Sequence, residues 1–405
     1  MKILVVTTKS PYPLYEGRAL RTYNLIKQTA REHEVHLLSF VQTPEEVEGI
    51  KHMVDVCASV KSVPLYMGGT GALVWDVLRE LVSFSPLMAV KYRTAEMRRC
   101  IATALSAQQF DVVHLDMLHL ADYISEVHGL PVVLVEHNVE SVLLHRRIEA
   151  ESSFFKRLYF RYQLKKLERY EAWACRQADH VVSVSANDAQ QLMMMTGHRR
   201  VTTVPNGVDS EFFKPSTSGT SARHAVFVGG LTWFPNLDAV EYFAREILPL
   251  IVREVPDFVL TVVGKNPAQG LDPVLTSNPA IKLTGLVEDV RPYIEEAAVY
   301  VVPLRVGGGT RLKILDALAS GKPLVSTSVG REGLDLVDGC DILVADDARG
   351  FANAVVGVLK DAVGAAELSS NGRKAVQERY EWTVIAKSLL SVYDACARRL
   401  PGYAH

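Results

Sequence analysis

The chain has 405 residues, is 48% hydrophobic, and carries 44 Lys and Arg against 46 Asp and Glu, for a formal net charge of −2. This length and apolar content predict two domains with sizeable cores, and the nearly balanced charge gives no indication of nucleic-acid binding. The five cysteines are scattered and form no CxxC pair, which argues against a disulfide framework or a zinc site and fits a reducing cytoplasm.

The chain opens on an apolar strand pattern from Lys2, with no charged leader or cleavage site ahead of it. No later run reaches about 18 uncharged apolar residues, the length needed to span a bilayer. We therefore expect a cytoplasmic protein that is soluble or peripheral to a membrane.

Short apolar runs recur along the chain between longer stretches compatible with helices. They predict two sets of six strands, at 3–7, 35–40, 60–65, 112–115, 132–135 and 181–184, then at 225–228, 259–263, 281–284, 299–302, 324–327 and 342–345. This alternation is typical of an α/β fold with parallel sheets and crossover helices. An Asn-Gly turn and a Ser/Thr/Gly cluster at 216–221 separate the sets. We predict two Rossmann-like domains, 1–205 and 206–382, with a last helix at 383–400 returning to the first.

The segment 145–171 combines eight Lys and Arg with four Glu and several interleaved aromatic residues. Such a stretch is compatible with peripheral contact to an anionic membrane. The aromatic spacing also fits a helix that packs on the first domain and keeps its charges in water, and this second interpretation is favoured. Nucleic-acid binding shares the charge signature but has no accompanying motif here.

A glycine-rich turn joins the strand at 299–302 to a helical pattern, in the sequence PLRVGGGTRLKILDALASGKP at 303–323. Free backbone N–H groups at a helix N-terminus favour an anion, and two nearby cations add to this preference. The segment predicts a phosphate or diphosphate site, although an ordinary turn with solvated cations has the same pattern. The residues of this candidate site are Gly307, Gly308, Gly309, Thr310, Arg311 and Lys313.

Several segments occur in the order found in one enzyme family: EHNVES, VPNGVDSEFFKP, FVGGLTWFPNLDAVEYF, LTGLVEDVRPYI and GGGTRLKILDALASGKPLVST. Nearly the whole chain resembles the family 4 glycosyltransferases, which have the GT-B fold of two facing Rossmann-like domains with a ligand cleft between them. The GGGTRLK loop resembles that of bacterial transferases of surface-polysaccharide pathways. The resemblance implies transfer of a sugar, with retention of configuration, from a nucleotide diphosphate donor to a glycan or lipid-linked acceptor, with no metal or other cofactor.

The resemblance also suggests residues for the donor. Arg311 and Lys313 would stabilise the charge that develops on the leaving diphosphate, and no DxD triplet offers a metal site instead. Family members have cations shortly after the glycine that corresponds to Gly229 and Gly230, and this chain has none there. Arg311 and Lys313 are therefore expected to supply the positive charge at the diphosphate. Three further places match donor-binding positions of the family: Gly17 with Arg18, Leu286 with Val287 in the base-contacting loop, and Asp316.

Asp316 occupies the position of the second of two family glutamates, which holds the ribose, while Gly308 stands where the first one would be. Asp316 is also at a spacing that would allow a simple pair with Lys313 on a solvated helix face. The missing first carboxylate keeps open a non-catalytic nucleotide-sugar or glycan-binding relative, or an epimerase or hydrolase on the same fold.

His137 follows the strand at 132–135 and so lies at a strand C-terminus, the edge where ligands bind in such sheets. The resemblance makes it the catalytic candidate of the first domain, orienting the sugar or assisting proton movement at the acceptor. A lone histidine is more often structural. Further candidates for the acceptor side are Glu136, Asn138, His114 and Asp116.

Overall fold

The computed structural model describes residues 1–14, 17–65, 83–151, 153–197, 200–216, 221–267, 270–307 and 312–398. The chain divides into two compact units. Unit 1 comprises Met1–Pro205 and Ile385–His405, and unit 2 comprises Asn206–Val384.

Unit 1 is built on a parallel sheet in which seven strands are described. They follow the order β3-β2-β1-β4-β5-β6-β7. The strands are β1 Lys2–Thr7, β2 Glu34–Val41, β3 Ser59–Pro64, β4 Val112–Asp116, β5 Val132–Glu136, β6 His180–Ser183 and β7 Val201–Thr203. Its central strands are buried along their length, as expected of a parallel sheet covered on both faces.

The helices of unit 1 connect these strands. They are α1 Gly17–Thr29, α2 Pro44–Gly49, α3 Leu87–Val90, α4 Ala95–Ala107, α5 Glu140–Ala150, α6 Phe154–Gln177 and α7 Ala186–Thr196, with 3-10 turns at Ile50–Met53 and Leu118–Glu126. Local capping explains several starts. Thr94 accepts from the Met97 amide at the start of α4, and Ser185 accepts from the Asp188 amide at the start of α7.

Unit 2 has a second parallel sheet, with six strands described in the order β10-β9-β8-β11-β12-β13. The strands are β8 Ser221–Val228, β9 Val259–Val263, β10 Ile281–Gly285, β11 Ala297–Val302, β12 Leu324–Ser326 and β13 Leu343–Val344. Its helices are α8 Phe234–Tyr242, α9 Leu248–Glu254, α10 Pro273–Thr276, α11 Arg291–Glu296, α12 Leu312–Ala319, α13 Ser328–Arg331, α14 Ala348–Lys360 and α15 Ala362–Arg379, with a π-helical turn at Phe243–Ile247. The last helix, α16 Trp382–Ala397, leaves this unit and ends in unit 1.

The predicted α/β architecture with two parallel sheets is confirmed, and each of the twelve predicted strands matches a strand of the structure. The prediction missed β7, a three-residue strand of half-buried side chains that pairs with β6 at the edge of the sheet. Two polar threonines in three residues give no apolar run to detect.

The order of strands reverses once in each sheet. In unit 1 the chain runs outward from β1 to β3 and then returns to place β4 on the other side of β1, and unit 2 does the same with β8 and β11. The loops that leave two such neighbouring strands diverge and open a crevice at their carboxyl ends. These two places, between β1 and β4 and between β8 and β11, carry most of the polar side chains discussed below.

Candidate functional site

In unit 2 the glycine turn after β8 lies against the side chain of Lys313 on α12. A Cβ atom at Gly229 would be 2.6 Å from Lys313 Nζ, so a larger residue there would displace the Lys313 side chain. Lys313 Nζ donates to Asn236 Oδ1 at 2.8 Å and lies 4.2 Å from the centroid of the Phe227 ring. Asn236 Nδ2 in turn donates to the Gly230 carbonyl at 2.9 Å. The structure thus brings a cation to the paired glycines, as the sequence predicted.

The end of β9 supports the same turn. Gly264 has φ 151°, and a Cβ atom there would lie 2.6 Å from the Gly229 carbonyl. The Leu231 amide donates to the Lys265 carbonyl at 2.8 Å, which ties the two strand ends together. The side chain of Lys265 is exposed at this edge and is a second cation that the sequence reasoning did not select.

Asp316 lies one helical turn beyond Lys313 on α12. Burial raises the pKa of Asp316 to about 7, although the Lys313 charge lowers it in part. Its Oδ1 atom is shielded from solvent and has no hydrogen-bond partner among the described residues. The shielding of Oδ1 does not fit a carboxyl on a fully solvated helix face, although the Lys313 charge does act on Asp316 as a simple pair would require.

The remaining donor candidates of unit 2 are placed as follows. Leu286 directly follows β10 and is 78% exposed, while Val287 is half-buried. Gly307 has φ 128°, a backbone conformation that favours glycine. Gly308, Gly309, Thr310 and Arg311 lie outside the described residues.

In unit 1 the carboxyl end of β4 carries a buried network centred on Asp116. His137 Nε2 is 2.8 Å from Asp116 Oδ1, and Thr22 donates to Asp116 Oδ2 at 2.7 Å. His114 Nε2 lies 3.7 Å from the same carboxylate, and its Nδ1 is 2.6 Å from the Tyr393 hydroxyl. The structure therefore joins three predicted residues, His114, Asp116 and His137, in one group.

The electrostatics of this group fix the roles of its atoms. Burial alone would raise the pKa of Asp116, but the charges and hydrogen bonds of His137 and His114 hold it well below its usual range. The carboxylate therefore only accepts, and His137 donates to it through Nε2; in the neutral form of the ring Nδ1 is then the acceptor. Burial raises the pKa of Tyr393 well above its usual value, so its hydroxyl, which is hydrogen-bonded to His114 Nδ1, keeps its proton.

Arg18, in the first turn of α1, points toward the same strand end. Its Nη1 is 3.0 Å from the sulfur of Met117, the residue after Asp116, and Met117 has the strained φ of 123°. Burial and the nearby Arg18 and His137 charges lower the pKa of His119 to about 3, so this ring is neutral. Gly17 is exposed at the start of α1.

Glu136 differs from its predicted acceptor-side placement. The side chain is 1% exposed, and its Oε1 has no partner among the described residues. Burial raises its pKa well above the usual value, and the nearby Glu171 and Glu140 charges raise it further. Because successive residues of an extended strand point to opposite sides, Glu136 faces the interior while His137 turns to Asp116. Asn138, next along the chain, is half-buried.

Glu171 has a structural task that the sequence did not reveal. It accepts from the Glu140 amide at 2.8 Å and from the Ser141 amide at 3.4 Å, and so caps α5, which has no side-chain cap of its own. Burial raises the pKa of Glu171 to about 7, against the hydrogen bonds from Ser141 and the Glu140 amide. Burial and the Glu171 charge likewise raise the pKa of Glu140 to about 7.

The sequence reasoning also missed Asn236, Thr22 and Tyr393. Asn236 follows Gly230 by six positions, at the start of α8, and no motif in the sequence singled it out. Thr22 and Tyr393 are 371 positions apart in the numbering of the chain and meet only because α16 packs on unit 1. Along the described part of the chain, no helix combines the length and the apolar content needed to cross a bilayer.

Two family models match this chain. One, described as Glycosyltransferase Family 4, matches residues 16–212, and the other, described as Glycosyl transferases group 1, matches residues 222–361. An uncharacterized 44.6 kDa protein in the cps region of Klebsiella pneumoniae is 23% identical over 96% of this chain and 98% of its own length. The lipopolysaccharide core biosynthesis mannosyltransferase LpsB of Rhizobium meliloti is 23% identical over 57% of this chain and 70% of its own.

Solved structures share the fold over the whole chain. Sucrose-phosphate synthase from Thermosynechococcus elongatus superimposes with a TM-score of 0.70 at 17% identity, covering 98% of both chains. Alr3699/HepE of Anabaena in complex with UDP has a TM-score of 0.66 at 16% identity, covering 98% of this chain and 100% of its own. These two likenesses establish the architecture of two parallel sheets.

Proposed function

Because this chain belongs to the family 4 glycosyltransferases and has their GT-B fold, we propose that it is a retaining transferase that uses a nucleotide diphosphate sugar as donor. The proposed acceptor is a glycan or a lipid-linked sugar, in the synthesis of a cell-surface polysaccharide at the cytoplasmic side of the membrane. The relative in the cps region and the lipopolysaccharide mannosyltransferase support this context. The UDP bound to Alr3699/HepE supports the class of donor.

One observation carries the proposal, the approach of Lys313 to the turn of Gly229 and Gly230. The Nζ atom of Lys313 is held by Asn236 at 2.8 Å and lies where a Cβ atom on Gly229 would meet it. A fixed cation beside a glycine turn is suited to a diphosphate. The place is the point where the strand order reverses, which is where ligands bind in such sheets.

This cation would act where negative charge develops during the reaction. As the bond between the sugar and the diphosphate breaks, charge builds on the leaving phosphate and the sugar acquires oxocarbenium character. A fixed cation whose interaction with the phosphate is stronger in the transition state than in the ground state lowers the barrier. We assign this role to Lys313 together with Arg311, and main-chain contacts to Gly307, Gly308, Gly309 and Thr310.

The other donor contacts follow from the chemistry of each side chain. Asp316 has an unsatisfied oxygen shielded from solvent, which can accept from the ribose hydroxyls. The loop at Leu286 and Val287 follows β10, and we propose that its main chain contacts the base. Arg18 and Gly17 are assigned to the diphosphate or to an acidic acceptor.

In unit 1 the proposed acceptor group is His137 with its carboxylate partner. Asp116 orients the His137 ring through a 2.8 Å contact with Nε2, so Nδ1 remains to accept a proton or a hydrogen bond from a sugar hydroxyl. The buried carboxylate stabilises a positive charge on this ring when a proton is taken up. His114 and Asn138 are positioning candidates beside it.

The proposed transfer needs no metal cofactor, because Lys313 and Arg311 would supply the positive charge that a metal provides in other transferases. The test is incubation of the full chain with UDP, GDP, ADP and TDP sugars. Slow release of a nucleoside diphosphate, weakened in Lys313→Met, supports the proposal, and the anomeric configuration of the transferred product, read by NMR, tests retention. Binding of a nucleotide sugar with no turnover would support the non-catalytic relative instead.

A further inference from the structure

The first turns of α6 expose apolar side chains on one side of the helix. Phe154, Phe155 and Leu158 are 69%, 81% and 57% exposed, and Tyr162 is 40% exposed. At 3.6 residues per turn these four side chains lie within an arc of about 100°. The side chains that α6 buries, such as Leu167, are on the opposite face. We call these four residues the apolar tip.

Exposed cations accompany the apolar tip. At 3.6 residues per turn, Arg161, Lys165 and Arg169 lie on the same side of α6 as the tip. Arg146 and Arg147 are exposed on α5, which packs beside α6. The Arg147 guanidinium lies 4.6 Å from the ring centroid of Phe160, which is on the side of α6 away from the apolar tip. Glu171, one of the four acidic residues of the segment, is buried and caps α5. The surface excess of positive charge is therefore larger than the sequence alone suggests.

We propose that the apolar tip inserts into the headgroup region of an anionic lipid bilayer while the surrounding cations contact lipid phosphates. Exposed phenylalanine side chains gain by leaving water, and cations beside them gain from a negative surface. A second copy of this chain would bring the same cations against each other, so like-charge repulsion opposes pairing through this surface. A lipid surface satisfies both features.

The inference goes beyond the proposed reaction and uses none of its residues. Membrane contact would bring the protein close to a lipid-linked acceptor, but the binding of lipid requires neither a sugar donor nor turnover. Failure of the transfer assay would therefore leave the membrane surface intact, and failure of lipid binding would leave the donor site intact.

The test is sedimentation of the full chain with vesicles of phosphatidylcholine alone or with phosphatidylglycerol added. We expect binding to the anionic vesicles that weakens as salt rises. The double variant Phe154→Ser with Phe155→Ser should lose at least about tenfold in vesicle affinity. Each of the single variants Arg161→Gln and Lys165→Gln should lose about fivefold.

The matched control is Met194→Ser, because Met194 is a 73% exposed apolar residue on α7 in the same unit. It should bind vesicles as the unsubstituted chain does, and the double Phe variant should keep its melting temperature and its donor hydrolysis without vesicles. Equal vesicle binding by the double Phe variant and the unsubstituted chain would overturn the proposal. A dimer in light scattering that the double Phe variant converts to a monomer would also overturn it.

Discussion

Replacing Asp316 by Asn is expected to remove most of the pH dependence of donor binding. Burial raises the pKa of Asp316 to about 7, so the free protein holds a proton there at mildly acidic pH. Hydroxyl groups of a ribose donate to the carboxylate and so favour its ionised form. Binding below pH 7 must therefore release a proton, and donor affinity should fall as the pH falls.

The size of the effect follows from the ionised fraction of the free carboxyl. For a pKa of about 7, that fraction is about 0.9 at pH 8 and about 0.1 at pH 6. Donor affinity should therefore fall about tenfold between these values, or about 1.4 kcal/mol. Asp316→Asn should bind about 1.5–3 kcal/mol more weakly at pH 8, the usual loss for a hydrogen bond to a charged group. The two proteins should converge near pH 5.

The assay is calorimetry with the nucleotide sugar that raises the melting temperature most, since its phosphate diesters do not titrate between pH 5 and 8. Titrations in buffers of different ionisation enthalpy should give about 0.9 proton released per donor bound at pH 6. Asp257→Asn is the matched control, because this exposed carboxyl pairs with Arg223 ahead of β9, at the other end of the strands. It should keep the pH profile of the unsubstituted chain.

The reasoning would be refuted by parallel pH profiles in the unsubstituted chain and Asp316→Asn. A profile without proton release at pH 6 would have the same meaning. Either result would show that the shielded Asp316 oxygen does not accept from the donor.

Three further outcomes are expected. Lys313→Met should weaken donor binding by about 2 kcal/mol, as for a lost charged hydrogen bond, and unchanged affinity in calorimetry would contradict its place at the diphosphate. Arg311→Ala should lose more donor affinity than His137→Ala, which should mainly lower turnover; the reverse order in binding and rate measurements would exchange their roles. The ionised forms of Glu171 and Glu140 are disfavoured on folding, so the free energy of unfolding should fall as pH rises from about 4.5 to about 7. Glu171→Gln should flatten this slope in urea titrations by up to about 3 kcal/mol, and an unchanged slope would contradict the burial of that charge.

The fold was accessible from the sequence because strands buried on both faces must be apolar along their whole length. Such runs mark the strands of a parallel sheet without any knowledge of its partners. The same property hides the direction of each side chain, since no alternation remains to read. Glu136 is an example: it is the last residue of β5, in which every residue is buried, and only the structure shows that its side chain faces the interior.

The candidate site was only partly accessible for a related reason. The glycine loop and Lys313 were visible as motifs, but Gly229 and Lys313 are 84 positions apart and meet because β8 and β11 are neighbours in the sheet. Sequence periodicity predicts strands and not their order. Only the structure shows that Asn236 belongs to this site, because its Oδ1 accepts from Lys313 Nζ at 2.8 Å.

The two units place opposite charges at equivalent positions of their sheets. Between β1 and β4 the central group is Asp116, whose pKa is held well below its usual range and whose charge opposes a phosphate. Between β8 and β11 the group is Lys313, whose Nζ donates to the neutral amide of Asn236 beside the Gly229 turn. Nearby Arg21 is buried, donates to the Val204 and Pro205 carbonyls and interacts with the Asp116 charge. Under the proposed function we therefore expect Lys313 to contact the diphosphate in unit 2 and His137 to face a neutral sugar hydroxyl in unit 1.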